Sequence, residues 1–129
     1  MTPHDLATLL DEANHAPRQS VTAALARVDG QPHPRVAALA AHLSGSKREC
    51  WTLIAQAAGT DTPPDDAGLT RLMAWEVQVT RTLPPAALTE LVSLGGTLMT
   101  IEALLRLNAR HTAWHAGQVA ALARRTLTA

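Results

Sequence analysis

Two histidines four residues apart near the C-terminus, His111 and His115, are the residues whose spacing most directly suggests chemistry. In an α-helix, residues four apart lie on one face with β-carbons about 5–6 Å apart, so both imidazoles can bind one metal ion. The chain has six histidines in 129 residues, so such a pair can also arise by chance. The pair therefore needs support from the rest of the sequence.

The predicted helix around this pair is apolar on the face that carries the histidines. At 100° per residue, Leu104, Leu107 and Leu122 share the stripe of both histidines, so we expect the two rings to point inward. A buried imidazole needs a hydrogen-bond partner or a metal. Taken alone, the pair fits ordinary hydrogen-bonded core histidines better than metal ligands.

A third candidate ligand, His42, lies in an earlier predicted helix. His42 shares a face with Leu39, Glu49 and Leu53, which again predicts a histidine within an apolar stripe. Three imidazoles leave coordination positions for water or substrate, whereas structural zinc sites have four protein ligands. Glu49 on the same face is a candidate catalytic proton carrier, and its alternative interpretation is a solvated surface charge.

Two segments of the chain carry the pattern of a known family. The later segment has the form His-x-x-x-His-x-Gly-Gln, at His111, His115, Gly117 and Gln118. The earlier segment has a histidine, an acidic residue and a tryptophan in that order, at His42, Glu49 and Trp51. Both patterns resemble those of the DinB/YfiT-like metal-binding four-helix bundles.

The resemblance implies an all-α fold built as a four-helix bundle, and the proline and glycine pattern described below adds a short extra helix before the last helix. It implies that His42, His111 and His115 bind one divalent metal ion. Zn and Ni are the first expectations for three imidazoles with open positions, and Fe and Mn are the alternatives. The resemblance also implies a homodimer.

The leading functional hypothesis is a metal-dependent transferase that joins a low-molecular-weight thiol to a small electrophile. One alternative is a non-catalytic metal-binding helper in a stress response. Another is a metal-assisted hydrolase, which ranks lower because the histidine motif contains no clear carboxylate base. A zinc peptidase of the His-Glu-x-x-His type is disfavoured because Thr112 follows the first histidine of the pair.

Composition agrees with one small helical domain over residues 1–129. The chain is 47% hydrophobic and lacks Phe and Tyr, and it shows no strand-like alternation. A net charge of zero disfavours nucleic-acid binding, and no segment resembles a signal peptide or a membrane span, so we expect a cytoplasmic protein without a membrane partner. Cys50, the only cysteine, is expected to be a buried packing residue rather than a reactive thiol.

Proline and glycine divide the predicted helices. The expected helices are residues 3–28 with an interruption at Pro17, 34–58, 69–83, a short helix from 85 to 92, and 100–125. Gly95 and Gly96 are expected to break the chain before the last helix, with Thr100 as its N-cap.

For several other residues, mostly near the candidate ligands, we expect structural rather than functional roles. Gly117 is expected to allow close approach of another helix, and Gln118 is expected to pack more than to hydrogen-bond into the site. Trp51, Trp75 and Trp114 are expected to lie in the core or at a dimer interface.

Overall fold

The computed structural model describes residues 1–28 and 31–128, apart from the side chains of residues 125–128, and is predominantly helical. Its elements in chain order are α1 (Pro3–His15), α2 (Val21–Ala26), α3 (Pro34–Ala58), α4 (Leu69–Thr82), a 3₁₀ helix (Pro85–Thr89), β1 (Leu91–Leu94), β2 (Thr97–Thr100) and α5 (Ile101–Thr128). The expectation of a mainly helical chain is confirmed.

Local capping signals explain where the first helices begin and end. The Thr2 hydroxyl accepts a hydrogen bond from the Asp5 amide, and the Asp5 carboxylate accepts one from the Thr2 amide, which caps α1. Helix α1 ends at His15 and α2 begins after the N-cap Ser20, so the predicted interruption at Pro17 is confirmed.

The predicted bounds of the helix over residues 34–58 are confirmed in α3. Pro34 is its first residue, where the missing amide hydrogen costs no helical bond. Gly59 follows its last residue with φ 71°, a left-handed conformation that favours glycine.

The predicted short helix from residue 85 to residue 92 is wrong beyond Thr89. The chain instead forms an antiparallel hairpin, in which Leu91 pairs with Thr100 and Leu94 pairs with Thr97. Gly95 and Gly96 form its two-residue turn with φ 56° and 84°, the positive values that tight hairpin turns need. Thr100, at the end of β2, accepts a hydrogen bond from the Ala103 amide and caps α5 as predicted.

The four longer helices contact one another in a ring, α1 with α4 and α5, and α3 with α4 and α5. The main core cluster fills the space that they enclose, and its largest fully buried members are Leu6, Leu10, Trp51, Ile54, Ile101, Leu104 and Leu105. Of the three tryptophans, Trp51 is fully buried, Trp75 packs against its ring at 5.3 Å between centroids, and Trp114 is 69% exposed. Among the described residues, no helix combines the length and the apolar character needed to cross a bilayer.

Candidate metal site and the adjoining cavity

Helices α3 and α5 bring the three predicted ligands together. The ring centroids of His111 and His115 are 4.4 Å apart, and the ring of His42 lies 4.9 Å from that of His115 and 5.4 Å from that of His111. One nitrogen from each ring lies within 4.8 Å of the other two. The cluster therefore joins residues that are about 70 positions apart in the sequence.

The two histidines of α5 have the nitrogen spacing of two ligands of a single ion. The Nε2 atoms of His111 and His115 are 3.0 Å apart. Two nitrogens bound to one zinc ion at adjacent positions are separated by about 2.9–3.4 Å, given metal–nitrogen distances of about 2.0–2.1 Å. The pair on α5 thus has the spacing of two ligands, and the exposed His42 on α3 offers a third nitrogen within 4.8 Å of both.

The expectation that His42 points into an apolar stripe is wrong. His42 and Glu49 are exposed and Leu39 and Leu53 are only partly buried, so this face of α3 borders the core. The buried face of α3 instead carries Val36, Leu43, Lys47, Cys50, Trp51 and Ile54. On α5, His111 is partly buried and His115 is 9% exposed. The histidine cluster consequently lies at the edge of the core, where small molecules can reach it.

Gln118 orients one of the three rings. Its Oε1 atom lies 2.6 Å from His115 Nδ1. An amide oxygen only accepts hydrogen bonds, so Nδ1 carries the proton and Nε2 keeps its lone pair toward the cluster. The expected packing role of Gln118 is therefore wrong, because its exposed side chain hydrogen-bonds into the site. Gly117 is exposed and a β-carbon there would meet nothing, so close helix approach does not explain it.

Electrostatics favour the neutral form of His111. Burial lowers the pKa of this imidazole below its usual value, and the neighbouring His115, His42 and Lys47 side chains lower it further. The neutral ring is the form that binds metal. The site therefore keeps His111 ready as a ligand at neutral pH.

A cavity of about 180 Å³ adjoins the histidine cluster between α3 and α5. His111 forms part of its wall, so the cavity and the cluster share a side chain. Leu104 and Leu107 from α5 supply apolar surface, and Leu94 from β1 closes one side. The hairpin that the sequence did not reveal thus helps to shape the space beside the cluster.

The α3 side of the cavity has an exposed part and a buried part. Glu49 lines the exposed part together with Ser46, so the structure brings the candidate proton carrier to the same cavity as His111. Cys50 lies in the buried part at 5% exposure, as expected of a packing residue. Burial, and then the charge of Glu76, raise the pKa of its thiol to about 12, so it stays protonated.

A buried polar network behind the cavity was missed by the sequence analysis. The Glu76 carboxylate on α4 is fully buried and accepts hydrogen bonds from Lys47 Nζ at 2.5 Å, Asn14 Nδ2 at 2.7 Å, Asn108 Nδ2 at 2.9 Å and Trp51 Nε1 at 3.0 Å. Lys47 Nζ also donates to Asn108 Oδ1 at 2.8 Å. One side chain of α4 is thereby bonded to α1, α3 and α5. The sequence did contain a signal for it. Lys47 and Glu76 each have apolar residues three or four positions away on both sides, and such neighbours share one face of a helix.

Comparison of the chain with protein-family models, with curated proteins and with solved structures finds no match. The geometry of the histidine cluster and its cavity is therefore the basis on which a function is argued for this chain.

Proposed function

We propose that this chain is a DinB/YfiT-like four-helix-bundle protein that binds a divalent metal ion through His42, His111 and His115. The proposed activity is transfer of a low-molecular-weight thiol to a small electrophile. The observation that carries the proposal is the convergence of three imidazoles, with two Nε2 atoms 3.0 Å apart, beside an apolar cavity. Zinc and nickel are the first candidates, because three imidazoles with open positions suit both.

A divalent ion held by His42, His111 and His115 would lower the pKa of a thiol bound to it and would so supply a thiolate nucleophile at neutral pH. The chain's own contribution is to hold neutral imidazoles in place, with Gln118 fixing the proton of His115 on Nδ1. Glu49, on the exposed part of the cavity, is proposed to accept the thiol proton and pass it to solvent. Sulfur then forms a bond to the electrophilic carbon, and the leaving group departs with its bonding electrons.

The cavity favours a catalytic role over a non-catalytic metal-binding helper. An ion that only ties α3 to α5 needs no adjoining space, whereas a reaction between two molecules needs room beside the ion. His111 belongs to both the cluster and the cavity wall, so a molecule in the cavity lies next to the proposed ion.

Metal binding and turnover can be tested with one variant and one matched control. In His111→Ala, affinity for Zn²⁺ or Ni²⁺ should fall at least 100-fold, since even changes behind metal ligands cost about 10–100-fold. The control is His4→Ala, because His4 is an exposed histidine on α1. Calorimetric titration of untagged protein should show one ion per chain for the wild type and for the control.

Turnover is measured with glutathione-, mycothiol- and bacillithiol-type thiols and a chromogenic electrophile. Wild type and His4→Ala should react, and His111→Ala should not. Retained transferase activity in metal-free His111→Ala would rule out the mechanism. Tight metal binding without turnover of any thiol would instead support the non-catalytic helper.

The proposal includes a homodimer, which the resemblance implies, and a location in the cytoplasm. The cytoplasm is where small thiols are kept reduced, as the proposed reaction requires. Analytical ultracentrifugation of the untagged protein tests the dimer, and a monomer at micromolar concentration would contradict this part of the proposal.

A further inference from the structure

The cavity beside His111 has the volume of a single small ring. It measures about 180 Å³, and a dry apolar cavity of about 150 Å³ is known to bind benzene. Pockets for drug-sized molecules are larger, at about 300–1,000 Å³. The cavity therefore fits one compact group rather than a whole cofactor or peptide.

The surface of the cavity favours an apolar occupant. Leu94, Leu104 and Leu107 contribute hydrocarbon from both β1 and α5. The polar groups on the buried part are already engaged, because Lys47 and Asn108 are bonded to each other and to Glu76. A polar ligand seated in this buried part would lose its hydration without gaining comparable partners.

The position of the cavity determines which end of a substrate enters it. His111 is a cavity wall and a proposed metal ligand, so a group seated among the leucines places its substituent beside the ion. We infer that the cavity binds a phenyl-sized apolar group of the electrophilic substrate, an inference that rests on the proposed function. Cellular thiols of the glutathione type are larger and carry several polar groups, so the thiol approaches from the exposed His42 side.

The binding test uses 4-fluorotoluene, followed by ¹⁹F NMR, on metal-free and Zn²⁺-loaded protein. This probe has no metal-binding group, so its binding is independent of whether the histidines hold an ion. The expected Kd for the wild type is on the order of 1 mM, as suits an apolar ligand of this size. Trifluoroacetate, a polar anion of similar or smaller size, should not bind the metal-free protein.

Two leucine variants connect probe binding to this cavity. Leu107→Phe should fill the space and weaken 4-fluorotoluene binding at least tenfold. Leu53→Phe is the control, since Leu53 is also a partly buried helical leucine but does not line the cavity, and its Kd should stay within twofold of wild type.

A second variant at the same position tests the cavity if Leu107→Phe does not fold. Leu107→Ala should enlarge the cavity and bind 1-fluoronaphthalene at least tenfold more tightly than the wild type does. The inference is overturned if 4-fluorotoluene does not bind the wild type, if trifluoroacetate binds equally well, or if neither Leu107 variant differs from Leu53→Phe. Loss of metal binding alone would defeat the proposed function while leaving these probe results unchanged.

Discussion

Replacing Lys47 by methionine should destabilise the protein far more than removal of an ordinary surface charge. The side chain of Lys47 is 1% exposed and that of Glu76 is fully buried, and their ion pair is 2.5 Å long. Lys47→Met keeps most of the apolar volume of the side chain but leaves the carboxylate with only neutral donors, from Asn14, Trp51 and Asn108. Breaking a buried pair in this way typically costs about 3–5 kcal/mol.

That loss is a large part of the stability expected for a chain of this length. Small domains unfold with about 5–15 kcal/mol. An unfolding entropy of about 2.1 cal/mol/K per residue converts the loss, for 129 residues, into a decrease in Tm of about 10–20 °C. Urea unfolding followed by circular dichroism measures the free energy directly.

The matched control is Arg71→Met, which removes an exposed ion pair. Arg71 lies 3.3 Å from Asp66, and their side chains are 65% and 83% exposed, so this change should cost less than about 1 kcal/mol. The double variant Lys47→Met/Glu76→Gln should be more stable than Lys47→Met, because it leaves no buried charge. The reasoning is refuted if Lys47→Met costs no more than Arg71→Met, or if the double variant is less stable than Lys47→Met.

Three further predictions concern the site and the single thiol. Gln118→Ala should weaken metal binding about 10–100-fold, because His115 Nδ1 loses its hydrogen-bond acceptor. The unfolding curve of the metal-free protein should not change. An unchanged metal affinity by calorimetry would contradict the prediction. Metal affinity should fall as the solution becomes acidic, because protons compete with the metal for imidazole nitrogens. Burial lowers the pKa of His111, so this ring is protonated at lower pH than an ordinary histidine. A metal affinity that stays constant from about pH 8 to about pH 5 would be inconsistent with three imidazole ligands. Burial raises the pKa of Cys50 to about 12, so at about pH 8 it should react with iodoacetamide only when the protein unfolds. The labelling rate should therefore rise with urea, and fast labelling of the native protein would contradict the burial of this thiol.

Local signals made much of the helical framework predictable. Pro34 and Gly59 define the ends of α3 through their own backbone preferences, which act whatever the rest of the chain does. The hairpin was missed although Gly95 and Gly96 form a typical two-residue turn. Its strands have only four residues each, too few to show an alternating pattern that stands out from a short helix.

Features that depend on tertiary contacts were less predictable. A helical wheel places His42 and Leu39 on one face, but it does not tell how wide the buried stripe of α3 is, and the exposure of His42 depends on that width. Lys47 and Glu76 are 29 positions apart, and each would be solvated in most proteins. The buried carboxylate is stable because four donors from three other helices bond to it. No local sequence pattern reveals that these donors meet.

The carboxylate that is bonded to three other helices also has a consequence for how the protein folds. The Glu76 carboxylate can be dehydrated at low cost only when Asn14, Lys47 and Asn108 all bond to it. An intermediate that lacks one of these helices would therefore have either a buried carboxylate with missing partners or water in its core. Such species are high in energy and should not accumulate. We therefore expect α1, α3, α4 and α5 to assemble in one cooperative step, so that tryptophan fluorescence and circular dichroism report a single coincident unfolding transition.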